Sequence, residues 1–226
     1  MKVVILAGGR GTRICEESDE KPKPMIEVGG KPILWHIMRH YAGYGFTDFI
    51  ICGGYKWRMI EEWAARQTRW NVDVIDTGEI TMTGGRLKMI APLLNDTFLM
   101  TYGDGVSDVD LNKLIDKHRK HKKLVTMTTV HHAGRFGVVH IDKDERVTGF
   151  LEKAHDWING GFFALEPGAL DYIESDVPWE SDPMLSLVEQ RQLVACRHYG
   201  FWQCLDTLRD KQLLEGMWNG TEFLAG

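Results

Sequence analysis

The sequence predicts an α/β fold, one domain over residues 1–226 built on a doubly wound mixed sheet. Three observations point there. Short β-branched or aromatic runs alternate with helically periodic segments through the first half of the chain. After Phe136 the runs become shorter and closer together, which suits an antiparallel or mixed extension of the sheet. A chain of 226 residues with 43% hydrophobic and 26% charged side chains fits a globular unit and excludes disorder, collagen and coiled coil.

The elements follow in order. Lys2 to Leu6 is a β-branched run suited to a strand buried on both faces, and it breaks at once into Ala7-Gly8-Gly9-Arg10-Gly11-Thr12-Arg13. Pro22, Pro24 and Gly29-Gly30 mark irregular chain, and Pro32 sits where a helix from Ile33 to about Tyr44 begins. Phe46 to Cys52 is a second buried strand, Trp57 to Arg66 a helix and Val72 to Ile75 a short strand. Gly84 to Leu94 has helical spacing, and Asp96 to Tyr102 is a strand that stops at Gly103-Asp104-Gly105. A helix from Asp110 to His121 and a strand from Leu124 to Val130 complete the alternating half. Strands at Phe136–Ile141, Arg146–Phe150, Asn159–Leu165 and Leu193–His198, with helices at Pro183–Arg191 and Thr207–Trp218, make up the remainder. Right-handed crossovers place the loops after Leu6 and Tyr102 on one rim, where ligands of doubly wound sheets sit.

Charge and composition narrow the partners. Lys and Arg number 27 against 32 Asp and Glu, a net charge of −5 with no basic run, which argues against nucleic acid. No stretch approaches the roughly 18 apolar residues of a membrane span, and Met1–Leu6 is too short for a signal peptide. The expectation is a soluble, cytoplasmic protein with no membrane partner. Cys15, Cys52, Cys196 and Cys204 form no CxxC pair, as expected of free thiols in a reducing compartment.

Four constellations carry chemistry. The glycines from Gly8 to Gly11 let backbone amides turn toward a phosphate, with Arg13 as a planar cation, although a ligand-free tight turn fits them equally. Their spacing is neither the dinucleotide GxGxxG nor a P-loop, which speaks against a nicotinamide-dependent reductase. In Lys21-Pro22-Lys23-Pro24-Met25, prolines pre-set the backbone around two ammonium groups, and solvated surface lysines are the alternative. Asp104, between glycines at a strand end, suits Mg2+ or a simple turn. Asp206 is either a second carboxylate for that ion or the N-cap of the last helix. His36 and His40 lack the glutamate that a zinc-protease helix requires.

Taken together, the motifs LAGGRGTR, KPKPM and GGKPILWHIM resemble the start of the sugar-nucleotide pyrophosphorylases, nucleotidyltransferases that join a sugar 1-phosphate to a nucleoside triphosphate. The runs Thr81–Lys88, Tyr102–Gly105, Ile158–Phe163 and Phe201–Lys211 are most similar to the cytidylyltransferase branch that acts on glucose 1-phosphate. The resemblance implies a Rossmann-like fold of the nucleotide-diphospho-sugar transferase type. It implies that Leu6, Ala7, Gly8, Gly9, Gly11, Thr12, Arg13, Lys23 and Gly103 surround the triphosphate, with Thr81 and Arg86 near the base. Arg13, Lys23 and Asp104 would be the catalytic residues, and Asp104 and Asp206 would share Mg2+. Gly137, Glu152, Lys153, Asn159 and Gly160 would face the sugar phosphate. The partners implied are CTP, a sugar 1-phosphate and further copies of the chain in a homo-oligomer. The stretch between Trp63 and Asn71 is shorter than that branch leads one to expect.

Such chemistry suits these residue types. A sugar 1-phosphate has its second ionisation near pH 6 and so brings its own nucleophile. What the protein must supply is positive charge for two approaching anions and a leaving pyrophosphate. A nucleotide-sugar sensor without catalysis would keep the glycine loop but could dispense with the carboxylate pair.

Overall fold

Val3–Ala7 forms β1, all five positions buried, near the middle of a seven-stranded sheet. The computed structural model describes residues 1–11, 20–133, 138–152, 155–220 and 223. In chain order the strands are β1, β2 (Glu27–Val28), β3 (Lys31–Pro32), β4 (Asp48–Gly53), β5 (Asn71–Asp76), β6 (Phe98–Tyr102), β7 (Gly105–Ser107), β8 (Val125–Ala133), β9 (Val138–Ile141), β10 (Val147–Leu151), β11 (His155–Leu165), β12 (Leu193–His198) and β13 (Trp202–Cys204). The helices are α1 (Ile33–Gly43), α2 (Trp57–Ala64), α3 (Thr83–Ile90), α4 (Leu111–His121), α5 (Asp182–Glu189) and α6 (Leu208–Met217).

The large sheet runs β12-β8-β11-β6-β1-β4-β5. Its pairings are parallel except those of β11, which lies antiparallel to both β6 and β8. The strand period of two sorts β1 between two cores. Val3 and Ile5 pack with Ile33, Leu34, Ile37 and Tyr41 of α1 and Leu114 of α4 on one face. Val4 and Leu6 pack with Leu87 and Ile90 of α3 and Leu187 of α5 on the other. After β1 the chain builds outward through β4 and β5, then returns to place β6 on the opposite side. The order therefore reverses between β1 and β6, the position where such sheets open a crevice at the carboxyl ends of their strands.

Three features depart from the sequence expectation. The helix expected over 84–94 ends at Ile90 and continues as a 3-10 turn, Ala91–Leu93, because Pro92 has no amide hydrogen to continue the ladder. Two short strands too small to read by pattern, β7 and β13, pair antiparallel outside the main sheet. The hairpin of β9 and β10 also stands apart and leaves Ile141, Val147 and Phe150 each more than 60% exposed. Cys52, Cys196 and Cys204 are free thiols, and Cys15 lies outside the described residues. No helix among the described residues is long and apolar enough to cross a membrane.

Candidate active site

The crevice between the ends of β1 and β6 opens into a cleft of about 450 Å³. Leu6, Ala7, Gly8, Gly9, Gly11, Lys23, Thr81, Arg86, Gly103, Asp104 and Asp206 all line it, joined by Pro24, Met82, Thr83 and Tyr102. Register explains the first contact. Leu6 pairs with Tyr102, and the Gly103 amide donates to the Leu6 carbonyl at 2.9 Å, so the glycine loop and the GDG turn leave the sheet side by side.

The two lysines of KPKPM part company. Lys21 meets Glu27 at the surface, 3.1 Å away. Lys23 opens a 3-10 turn after Pro22, with Pro24 buried beneath it, and points into the cleft. Its ammonium donates to Asp104 Oδ2 at 2.6 Å and to Asp206 Oδ1 at 2.5 Å, so the two carboxylates converge on one cation. Burial pulls the Lys23 pKa down, but the two adjacent carboxylates outweigh it and hold the ammonium above its ordinary value.

The two aspartates, 102 positions apart by their numbers, meet because β7 and β13 pair. Cys204 aligns with Gly105, and the Leu205 amide donates to the Asp104 carbonyl at 2.8 Å. The open choice for Asp206 resolves here: Thr207 is the N-cap of α6, and a capping box with Asp210 completes it. The Asp210 carboxylate accepts from the amides of Asp206 and Thr207 at 3.1 and 2.8 Å. Asp206 is thus relieved of capping, and its carboxylate turns to Lys23. Beside it, burial and the two cleft aspartates push the Cys204 thiol up to about 12, so it stays protonated and is no nucleophile.

Arg86 lines the same cleft but directs its guanidinium into the protein. It donates to the carbonyls of Gly53 at 2.9 Å and Gly8 at 3.2 Å, and to Thr77 Oγ1 at 2.6 Å. A side chain at Gly8 would put its Cβ 2.1 Å from that guanidinium, so this glycine is required by Arg86 as well as by any phosphate. The base contact implied for Arg86 therefore competes with four protein acceptors, the Glu79 carbonyl at 3.4 Å being the fourth, and its evident work is to fasten the β1 loop to the end of β4.

On the sugar side the placements diverge. Asn159 reaches the cleft through Tyr102, its Nδ2 donating to the phenol oxygen at 3.3 Å while its Oδ1 accepts from the Gly161 amide at 2.8 Å. Gly160 is buried, and its carbonyl accepts from the Trp202 indole at 2.7 Å. Glu152 is exposed, just past β10, and is not among the residues that line the cleft. Thr12, Arg13, Gly137 and Lys153 lie outside the described residues.

A family model described as nucleotidyl transferase matches residues 2–202. The chain belongs to this family. It is 47% identical to a glucose-1-phosphate cytidylyltransferase of Salmonella typhi, covering 96% of each chain. It is 36% identical to a probable glucose-1-phosphate cytidylyltransferase of Bacillus subtilis, covering 97% of this chain and 96% of the other. HddC of Yersinia pseudotuberculosis, solved with GMP-PN, superposes with a TM-score of 0.75 at 25% identity, over 95% of this chain and 98% of that one. The Salmonella alignment spans 247 positions, more than the 226 residues here, so that relative carries chain that this nucleotidyltransferase lacks.

Among the described residues no cluster of three or more His, Cys, Asp or Glu could form an all-protein metal cage. Two carboxylates meeting on one cation are the donor set of an ion that keeps waters and takes its other oxygens from phosphates, as Mg2+ does. The Lys23 ammonium shows that a positive group fits between them. Sequence reasoning gave no role to three residues that shape this site: Asp210, Tyr102 and Glu180. The spacing Thr207-x-x-Asp210 is a capping-box signal that could have identified the first. The contacts of the other two are visible only in the fold.

Proposed function

We propose that this nucleotidyltransferase is a glucose-1-phosphate cytidylyltransferase that uses Mg2+ to make CDP-glucose and pyrophosphate from CTP and glucose 1-phosphate. The observation that carries the reading is the meeting of Asp104 and Asp206 on one cation beside the glycine loop. The choice of cytidine and glucose is supported by the 47% identity to the Salmonella typhi protein.

The residues divide the work. Backbone amides of the Gly8–Gly11 loop would cradle the triphosphate, as the glycine spacing and the position at the switch point allow. A phosphate oxygen of the sugar 1-phosphate attacks the α-phosphorus in line; the bond from that phosphorus to the bridging oxygen breaks, and pyrophosphate leaves. No general base is needed, because the attacking phosphate is already ionised. Mg2+ held by Asp104 and Asp206 would supply Lewis-acid stabilisation of the crowded phosphate charge. Lys23 holds the two carboxylates together and places a fixed positive charge where negative charge grows. Assembly into a homo-oligomer is supported by the apolar side chains that the β9–β10 hairpin exposes, since an isolated two-stranded hairpin is only marginally stable in water.

The test incubates purified protein with Mg2+, glucose 1-phosphate and each of CTP, UTP, dTTP and GTP, and follows pyrophosphate. Release should be fastest with CTP, stop with EDTA, and fall by about 10²–10³ or more in Asp104→Asn. Faster release with another base overturns the choice of cytidine, undiminished release in EDTA overturns the metal, and no release with any triphosphate and a panel of sugar phosphates overturns the enzyme. Light scattering on the same sample tests assembly, which a monomer would refute.

A further inference from the structure

The segment from Glu174 to Ser181 leads into α5 and lies across the amino end of α3. The Gly84 amide donates to the Val177 carbonyl at 3.0 Å, the Met82 amide to Asp176 Oδ1 at 2.9 Å, and the Trp179 amide to Thr83 Oγ1 at 2.8 Å. The fit is tight at the two glycines of the helix. A Cβ at Gly84 would stand 2.5 Å from the Val177 carbonyl oxygen, and one at Gly85 would stand 2.0 Å from Asp176 Oδ1. Gly84, facing backbone, is therefore bare so that this segment can close on it.

At the end of the segment stands Glu180, an exposed residue whose two carboxylate oxygens are both engaged. Oε1 accepts from the Tyr102 phenol, and Oε2 accepts from the Thr83 hydroxyl at 2.7 Å. Both donors line the cleft. An ionised carboxylate can only accept, so each hydroxyl must donate its hydrogen bond to it. With its hydrogen committed, the Tyr102 oxygen can only accept from Asn159, whose carboxamide is thereby fixed with nitrogen toward Tyr102 and oxygen toward the Gly161 amide. A directed chain Asn159–Tyr102–Glu180–Thr83 thus crosses the mouth of the cleft from β11 to α3. It joins the side proposed for the sugar phosphate to the side proposed for the base.

We infer that Glu180 is a positioning residue for the transfer, which holds the Tyr102 phenol and through it the Asn159 amide in the one orientation that receives the sugar phosphate. This rests on the functional reading above. The Tyr102 phenol donates its hydrogen to Glu180. Its ring is held from below by an edge contact with Phe163, centroids 6.1 Å apart. Ring packing fixes where the phenol stands, and Glu180 fixes which way its hydrogen points.

The experiment compares wild type, Glu180→Gln, Tyr102→Phe and the double variant under steady-state conditions, varying CTP and glucose 1-phosphate separately. Each single variant should raise KM for glucose 1-phosphate about tenfold, the loss of roughly one charged hydrogen bond, with KM for CTP within about twofold. Because Glu180 acts through Tyr102, the double variant should be no worse than the poorer single one. Additive losses in the double variant or equal rises in both KM values would overturn the inference. An active wild type with unaffected Glu180 variants defeats this inference alone, whereas a wild type that turns over no substrate defeats the functional reading beneath it.

Discussion

Lys23 and Arg86 are both cations withdrawn from solvent at one cleft, the first with 13% of its side chain exposed and the second 4% exposed overall. Their partners differ in kind. Lys23 faces two carboxylates, which raise its pKa and whose charges it shares out. Arg86 faces three carbonyls and a hydroxyl, neutral acceptors that hold it in place while desolvation lowers its pKa. A cation bound by anions can be replaced there by another cation, whereas one bound by backbone carbonyls has become part of the scaffold. Substitution at each position tells the two kinds of cation apart.

The largest effect should come from Lys23→Met. Turnover should fall by about 10²–10³, because a fixed charge is lost where the reaction develops its own. Its two aspartates, without the Lys23 charge, should then make the variant depend more on Mg2+: the shift in thermal midpoint on adding the ion should exceed that of wild type. Equal shifts would mean that Asp104 and Asp206 do not share the ion.

Arg86→Lys should act the other way round. A single ammonium cannot reach Gly53, Thr77 and Gly8 together, so buried acceptors lose their donor. Stability in urea should drop by about 2–4 kcal/mol. The CTP saturation curve of the folded fraction should change far less than in Lys23→Met. A stable variant with a collapsed affinity for CTP would make Arg86 a ligand contact and erase the distinction.

The smallest effect concerns histidines buried away from the cleft. His36, His40 and His118 all have pKa values lowered from 6.5, in each case mainly by burial. Between the folded values and 6.5 the unfolded chain binds more protons, so stability is full above about 6.5 and is lost as the pH falls through the lower folded values. His118 is held between Thr126 at 2.9 Å and Glu166 at 3.1 Å. Thermal midpoints should decline from pH 7.5 to 5.5, and His118→Gln should flatten part of that decline. A level profile in wild type would refute the assignment.

Much of the architecture was legible from pattern. The apolar runs at Val3, Phe49 and Phe98 became the parallel strands of the sheet, since a strand buried on both faces must be apolar throughout. The glycine loop after β1 and the aspartate after β6 fell where a doubly wound sheet leaves its crevice. The short strands β7 and β13 were not legible, because three residues carry no period to read. Glu180 was equally silent, a surface glutamate by its sequence and the partner of two cleft hydroxyls by its place in the fold.

Local order, then, was written in the chain: which runs are strands, which glycines leave the backbone bare, and which side chains carry charge. Their meeting was settled by tertiary structure, because a hydrogen bond between Asp104 or Asp206 and Lys23 depends on positions in space that sequence separation does not encode. The pairing of β7 with β13 and the capping of α6 by Thr207 and Asp210 turn two distant aspartates toward one lysine.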